Sequence, residues 1–122
     1  MVRDQSPSLT KALGIALFES LSGRNAIVVA STDLSHFYPL AVANKLDKRM
    51  LDEWKDLSIT GMYQLDQHGN GYACGLGAVA AVMQYAILNG AKQSIILNYA
   101  TSADVTGDET SVVGYASAAI TK

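Results

Sequence analysis

Two residues with acid–base and metal-binding chemistry lie close together in the sequence, Asp33 and His36. They are three residues apart, so a single turn would let both side chains face one point. The carboxylate would then orient the imidazole, as outer-shell carboxylates do for metal-bound histidines. The plainer interpretation, which spacing alone favours, is an aspartate that caps the turn and a histidine bonded to the backbone.

Cys74 is the only cysteine, and it directly precedes an alanine-rich, nearly uncharged segment. That placement puts the thiol near the N-terminus of a predicted helix, where a thiolate is stabilised. A thiolate is both a nucleophile and a soft metal ligand. Free cysteines are also commonly small buried hydrophobes, so spacing leaves both interpretations of Cys74 open.

Further candidate ligand-binding residues come from the polar loops beside the predicted strands, because ligands bind beyond the carboxyl ends of strands in open α/β sheets. These candidates are Ser31, Thr32, Gly75, Tyr99 and Asp104. Turn formation is the commoner role for Asp104 and Asp108, and His68 lies in a glycine-rich loop typical of an exposed residue. There is no P-loop, HExxH, paired CxxC, GxSxG or dinucleotide-binding fingerprint.

Hydrophobic periodicity predicts the helices that must position these residues. Apolar residues at spacings of three and four predict helices over 7–22, after the Ser6-Pro7 start signal, and over 39–55. In the second of these, the charged residues, Asp47 among them, are assigned to a solvated face. Residues 75–88 predict a helix buried on most sides, and a weaker signal marks a short helix within 56–65.

Three short β-branched segments predict the strands. Residues 25–31 and 94–99 are predicted as buried strands, and 111–116 as a strand at or near an edge. Loops are expected over 32–38 and 101–110. Alternating helices and strands predict a layered α/β/α domain with a small, mostly parallel or mixed sheet, in which the last two strands are short-connected enough to be antiparallel.

Length and composition indicate one domain over residues 1–122, with 49% hydrophobic residues and a net charge of −2. The absence of a basic excess disfavours nucleic acid and polybasic membrane docking as partners. The apolar runs are too short to span a bilayer, and the polar start Met1–Ser6 is not typical of a signal peptide. Together with the lone thiol, these features predict a cytoplasmic protein.

Four sequence blocks, in this order, resemble the Memo family. The blocks are Ser31–His36, Ala73–Ala78, Asn98–Asp108 and Val112–Ala116. Together they are specific, whereas any one of them alone is weak. The resemblance covers nearly all of this chain but only about the C-terminal half of a typical family member.

The resemblance implies a fold similar to that of the class III extradiol dioxygenases, which use a non-haem iron. It also implies a metal site made by two histidines of the N-terminal half and a cysteine that corresponds to Cys74. The histidine corresponding to His36 lies close to that site, with Asp33 beside it. The implied activity is metal-dependent redox chemistry, with iron, copper or zinc as the expected cofactor. Family members have also been linked to receptor phosphotyrosine peptides.

This chain departs from the family pattern because its only histidines are His36 and His68, and the blocks that hold the two ligating histidines have no counterpart. A metal normally needs three or four ligands, so we expect the site to be incomplete in this chain. It would then be a fragment, a truncated relative, or one chain of a split two-chain assembly.

A domain with half of a sheet exposes a strand edge and apolar helix faces. We therefore expect a homo-oligomer or a partner chain that supplies the missing half. The alternative function is a non-catalytic peptide- or anion-binding module, with helix N-termini as the anion donors.

Overall fold

The computed structural model describes residues 3–122, so Met1 and Val2 of the polar N-terminal segment lie outside the described residues. The elements follow in the order α1 (Pro7–Leu21), β1 (His36–Tyr38), α2 (Leu40–Lys55), α3 (Ile59–Gln67), α4 (Leu76–Leu88), β2 (Gln93–Thr101), α5 (Ala103–Thr106) and β3 (Val112–Thr121). The three strands form a sheet in the order β1-β3-β2, and both pairs are antiparallel. The predicted α/β class is confirmed.

All four predicted helices are present, and two of them begin at a local start signal. Helix α1 begins at Pro7, whose missing N–H and fixed φ suit the first helical position. Helix α3 begins later than predicted, at Ile59, where the Ser58 hydroxyl accepts a hydrogen bond from the Gly61 amide (3.2 Å). No helix within residues 3–122 is both long enough and apolar enough to cross a bilayer.

The hydrophobic core lies where α2, α3 and α4 meet the sheet. Its buried members are Leu34, Met50, Leu51, Trp54, Met62, Ala73, Leu76, Val79 and Met83. Helix α1 packs mainly on α4, and it fully buries only Thr10 and Gly14. The predicted apolar face of α1 is therefore only partly covered, and Leu9 and Ile15 are exposed.

The predicted strand over 25–31 is wrong for the described residues, which show no strand there. No backbone N–H or C=O group of this segment forms a hydrogen bond within residues 3–122. Ile27 is 91% exposed and Val29 is 80% exposed. A strand needs neighbouring strands for its backbone and cover for both of its faces. The described part of the chain supplies neither to this segment.

The other two predicted strands are present, but their positions in the sheet and their burial differ from the prediction. Strand β3 is the central strand instead of an edge strand, and it continues to Thr121. Strand β2 is an edge strand, with Ile95 and Leu97 exposed, so it is not fully buried as predicted. The antiparallel pairing of these two strands is confirmed. A mostly parallel sheet is not observed. The predicted parallel pairing depended on segment 25–31, which forms no strand in the described residues.

Candidate functional site

The loop that carries Asp33 is fastened to the N-terminus of α4. The Thr32 hydroxyl oxygen accepts a hydrogen bond from the Gly75 amide (2.8 Å) and donates one to the Asp33 carbonyl (2.8 Å). The Cys74 amide also donates to the Asp33 carbonyl (3.1 Å). Cys74 directly precedes Gly75, the N-cap of α4, so its predicted place at a helix N-terminus is confirmed.

The Cys74 sulfur faces the same loop and is open to solvent. Its Sγ accepts a hydrogen bond from the Asp33 amide at 3.2 Å and lies 3.7 Å from the Thr32 hydroxyl. The residue is exposed, so its interpretation as a small buried hydrophobe is wrong. An exposed sulfur with an amide donor beside it is accessible to ligands and reagents.

The side chain of His36 also lies beside Asp33. Its Nε2 lies 3.6 Å from the Asp33 Oδ2, and both side chains are partly exposed. That distance is longer than a direct hydrogen bond, so the contact is an ion pair when the imidazole is protonated. Asp33 thus connects the other two predicted residues, since its amide contacts the sulfur and its carboxylate lies beside the imidazole.

A bulge next to His36 sets the direction of the chain there, and sequence analysis did not predict it. Phe37 has a positive φ of 64°, and the pairing of β1 with β3 shifts register between His36 and Tyr38. A positive φ is strained for a residue with a bulky side chain. Bulges of this kind re-aim neighbouring side chains and are common beside active sites.

Gly75, a predicted ligand-binding residue, allows the loop and helix to approach each other closely. A Cβ atom at this position would lie 2.5 Å from the Ser31 carbonyl oxygen and 2.9 Å from the Thr32 Cβ. Any side chain here would push the 31–33 loop away from α4. Ser31 itself is exposed, and its carbonyl forms the surface against which Gly75 packs.

Asp47 anchors the far end of the same loop and is fully buried, contrary to its predicted place on a solvated face. Its Oδ1 accepts a hydrogen bond from the Ser35 amide (2.9 Å), and its Oδ2 accepts one from the Tyr99 hydroxyl (2.8 Å). The spacing held a signal for this burial, because Asp47 lies four residues after the buried Ala43 and three before the buried Met50.

Tyr99 and Asp104, both predicted to bind ligand, have structural partners in the described residues. The Tyr99 hydroxyl bonds Asp47 and also lies 3.0 Å from the Asn44 Oδ1. The Asp104 carboxylate accepts hydrogen bonds from the Thr101 amide and hydroxyl, at 2.6 and 3.3 Å, which is the turn-forming role. Their roles in ligand binding stay predictions.

The anion-binding alternative finds few free donors at the N-terminus of α4. The Gly75 amide bonds Thr32, the Leu76 amide bonds the Ala73 carbonyl (3.1 Å), and the Gly77 amide bonds the Gln5 side chain (2.7 Å). A helix N-terminus binds anions through unpaired amides. The contacts of α4 therefore disfavour an anion site beside Cys74.

Residues 3–122 do not form a complete metal site. No group of three or more histidine, cysteine, aspartate or glutamate side chains among them is arranged to hold a metal ion. Asp33, His36 and Cys74 are neighbours, but they do not converge as a ligand set. His68, the other histidine, is exposed, and its Nδ1 lies 2.7 Å from the Gln64 carbonyl oxygen.

Tyr99→Phe is expected to make stability less sensitive to alkaline pH. Burial, the hydrogen bond to Asp47 and the negative charge of Asp47 raise the pKa of Tyr99. Between the unfolded pKa of about 10 and the higher folded value, only the unfolded state loses this proton, so stability falls as pH rises. Urea unfolding at neutral pH and at about pH 11 should show a larger loss in the parent chain than in the variant.

The other tyrosines are present in both proteins, so their titration cancels in that comparison. At neutral pH the variant should lose about 1–2 kcal/mol, because Asp47 keeps only one of its two donors. Equal slopes of stability against pH in the two proteins would contradict the raised pKa of Tyr99.

Comparison with known proteins identifies the family. A model described as "Memo-like protein" matches residues 1–119. The MEMO1 family protein MTH_45 of Methanothermobacter thermautotrophicus is 45% identical over 95 residues, which is 78% of this chain and 34% of the relative. A MEMO1 family protein of Nitrosopumilus maritimus is 36% identical over 115 residues, covering 94% of this chain and 42% of the relative.

A third relative, the MEMO1 family protein MJ0403 of Methanocaldococcus jannaschii, is 33% identical over 120 residues, or 98% of this chain and 42% of the relative. The chain thus spans less than half the length of each of these curated relatives. The family model matches nearly the whole chain, and it includes the loop, the cysteine and the buried anchor described above. The chain therefore belongs to the Memo-like family.

Proposed function

We propose that Asp33, His36 and Cys74 form part of a metal-dependent redox site whose other ligands come from outside residues 3–122. The observation that carries this proposal is the position of Asp33, whose amide bonds the Cys74 sulfur and whose carboxylate lies 3.6 Å from His36. This arrangement places a soft ligand at the N-terminus of α4 beside an acid–base group and an orienting carboxylate of one partly exposed loop.

Each side chain has a separate task in this proposal. Cys74 offers a thiolate that suits iron, copper or zinc, and the Asp33 amide fixes where the sulfur points. His36 holds or releases a proton at Nε2, and the Asp33 carboxylate orients the ring when the imidazole is charged. Because the proposal needs a free thiol, it also favours a reducing compartment such as the cytoplasm.

The proposal assigns the missing ligands to the part of the family fold that this chain does not carry. The curated relatives are more than twice as long as the stretch that they share with this chain. A site with one thiolate and one imidazole falls short of the three or four ligands that a metal needs. No chemical step through a metal follows from this chain's residues alone.

The test is a cobalt(II) titration, because a thiolate ligand gives cobalt a charge-transfer absorption band. The chain is titrated alone and then with a polypeptide that comprises the remaining two thirds of MTH_45, the part this chain does not match. We expect no stoichiometric binding by the chain alone. The mixture should bind one cobalt ion per complex and show the thiolate band.

Matched variants assign the ligands in that mixture. Cys74→Ala should abolish the thiolate band, and His36→Ala should weaken binding about 10–100-fold, as loss of an orienting or ligating partner does. His68→Ala is the control, and it should bind like the parent. A band that survives in Cys74→Ala, or a mixture that associates without binding metal, would refute the proposal.

A further inference from the structure

A groove of about 570 Å³ separates the unpaired segment 25–31 from strand β3. Residues 26–30 line one wall, and residues 116–120 line the facing wall. Side chains of α4, with Trp54 and Ser94, complete the lining. The groove therefore lies between two stretches of main chain, on top of the helix that carries the candidate site at its N-terminus.

Both walls present backbone that lacks a partner within residues 3–122. The segment 25–31 makes no backbone hydrogen bond to any residue of 3–122. Strand β3 pairs with β2 along one edge. On its other edge, hydrogen bonds from the described residues end at Gly114. They come from β1 and the Leu34 amide, and the Gly114 amide donates to the Ser35 carbonyl. Both stretches are largely exposed, so solvent can reach their backbone groups. Two unpaired edges at one groove nevertheless offer the hydrogen-bonding positions that an added strand uses.

Two buried polar atoms at the same groove also lack partners. The Trp54 Nε1 and the Ser94 Oγ are inaccessible to solvent and form no hydrogen bond among the described residues. Both residues line the groove. A buried polar group without a partner costs about 1–3 kcal/mol, so native proteins rarely leave one unsatisfied. These two atoms show that the polar groups around the groove are not fully satisfied among the described residues.

The residue types that line the groove limit which kind of ligand can bind in it. None of the lining residues is charged, and many are small. Its alanines are Ala26, Ala30, Ala86, Ala116, Ala118 and Ala119. Small side chains let another backbone approach closely, and an uncharged lining excludes a charged ligand. Main-chain edges that pair with an added extended segment are the basis of β-strand addition.

We propose that this groove is a slot for one uncharged β-strand, supplied by the part of the Memo-like fold that this chain does not contain. The relatives have enough additional chain to supply it, since this chain covers only 34–42% of the three compared. A small apolar molecule would fill the volume but would leave both backbone edges unpaired. A strand satisfies both edges.

One end of the slot lies near the candidate site. Its walls come together where Leu34 bonds Gly114, and Thr32, which lines the groove, also contacts the Cys74 sulfur. A strand that fills the slot therefore ends beside Cys74, where it can deliver the missing ligands. This last step rests on the proposed function, whereas the slot itself does not.

The test measures association of this chain with the remaining two thirds of MTH_45 by calorimetry. Ala118→Arg and Val29→Arg place a charge on opposite walls of the slot, at exposed positions that the isolated chain should tolerate. Each should weaken association at least about tenfold, equivalent to about 1.4 kcal/mol. Leu97→Arg is the matched control, because Leu97 is an exposed apolar residue of the same sheet outside the slot.

Hydrogen exchange on the same samples locates the contact. The amides of residues 26–30 and 115–121 should exchange rapidly in the chain alone and slowly in the complex. Circular dichroism first checks that the MTH_45 polypeptide is folded, and full-length MTH_45 is measured in parallel, where the matching amides should also exchange slowly. Failure of the folded polypeptide to associate, unchanged affinity in both slot variants, an equal loss in Leu97→Arg, or unprotected amides in full-length MTH_45 would overturn the slot. Protection in a homodimer of the chain alone would assign the slot to a second copy and overturn the proposed occupant.

The same samples separate the slot from the metal proposal. Cys74→Ala should associate with parental affinity, since its sulfur is not part of the slot lining. Association without metal binding would refute the redox site and leave the slot intact. Loss of association in the slot variants, with parental association in Cys74→Ala, supports the slot whatever the cobalt titration shows.

Discussion

Replacing Asp47 by alanine is expected to lower the free energy of unfolding by about 2–4 kcal/mol. The carboxylate is fully buried and accepts hydrogen bonds from the Ser35 amide and the Tyr99 hydroxyl. Alanine removes both acceptors at once. The Ser35 amide is then left without a partner, while Tyr99 keeps only its contact with Asn44.

Chemical denaturation of three variants tests this result. Asp52→Ala is the matched control, because Asp52 lies on the same helix in an exposed ion pair with Lys48 (2.7 Å). Exposed pairs contribute less than about 1 kcal/mol, so that variant should stay close to the parent. Asp47→Asn retains one acceptor and should fall between the two. Equal stability of the Asp47→Ala and Asp52→Ala variants would show that burying the Asp47 charge costs as much as its hydrogen bonds contribute.

The Asp47 anchor also bears on the candidate site, because Ser35 lies between Asp33 and His36 in the loop. Thr32 holds one end of this loop to α4, and Asp47 holds the other end to α2. A loop fixed at both ends keeps the imidazole and the sulfur at a constant separation. Preorganisation of this kind is what a functional loop gains from a rigid scaffold.

Helices α1 to α4 were predictable because the chain itself contains most of the surfaces that cover them. The spacing of apolar residues in α2 matches the buried face that forms the core. Strand formation depends instead on partners that are distant in sequence or absent from it. Segment 25–31 has the composition of a buried strand, yet nothing in residues 3–122 pairs with it.

The candidate site was partly predictable for a similar reason. The proximity of Asp33 and His36 follows from local spacing. Cys74 lies beside them because Thr32 of the same loop accepts a hydrogen bond from the N-terminus of α4, which Cys74 directly precedes. The buried role of Asp47 was missed because a charged side chain was assumed to face solvent. Asp47 lies on the buried face of α2, and its hydrogen-bond partners come from two segments that are distant in sequence.

Gly114→Ala is expected to destabilise the fold by at least about 2 kcal/mol, within the range for overpacking a core. Gly114 is buried in β3, and a Cβ atom there would overlap the Asp47 carboxylate. The sheet or helix α2 must move to make room, which also disturbs the Ser35 and Tyr99 hydrogen bonds. Glycine in a strand is otherwise unfavourable relative to alanine by about 0.5–1 kcal/mol, so its presence here is explained by the close contact.

Gly114→Ala should lower the free energy of unfolding much less in a chain that lacks the Asp47 carboxylate. In the Asp47→Ala background the methyl group of Ala at position 114 occupies space that the carboxylate has left. Its cost should then fall below about 1 kcal/mol, which gives a coupling energy of about 1–3 kcal/mol between the two positions. Denaturant unfolding of the four proteins in this double-mutant cycle measures that coupling. The same cycle with Asp52→Ala should be additive, and additivity with Asp47→Ala would show that the carboxylate is not what excludes a side chain from position 114.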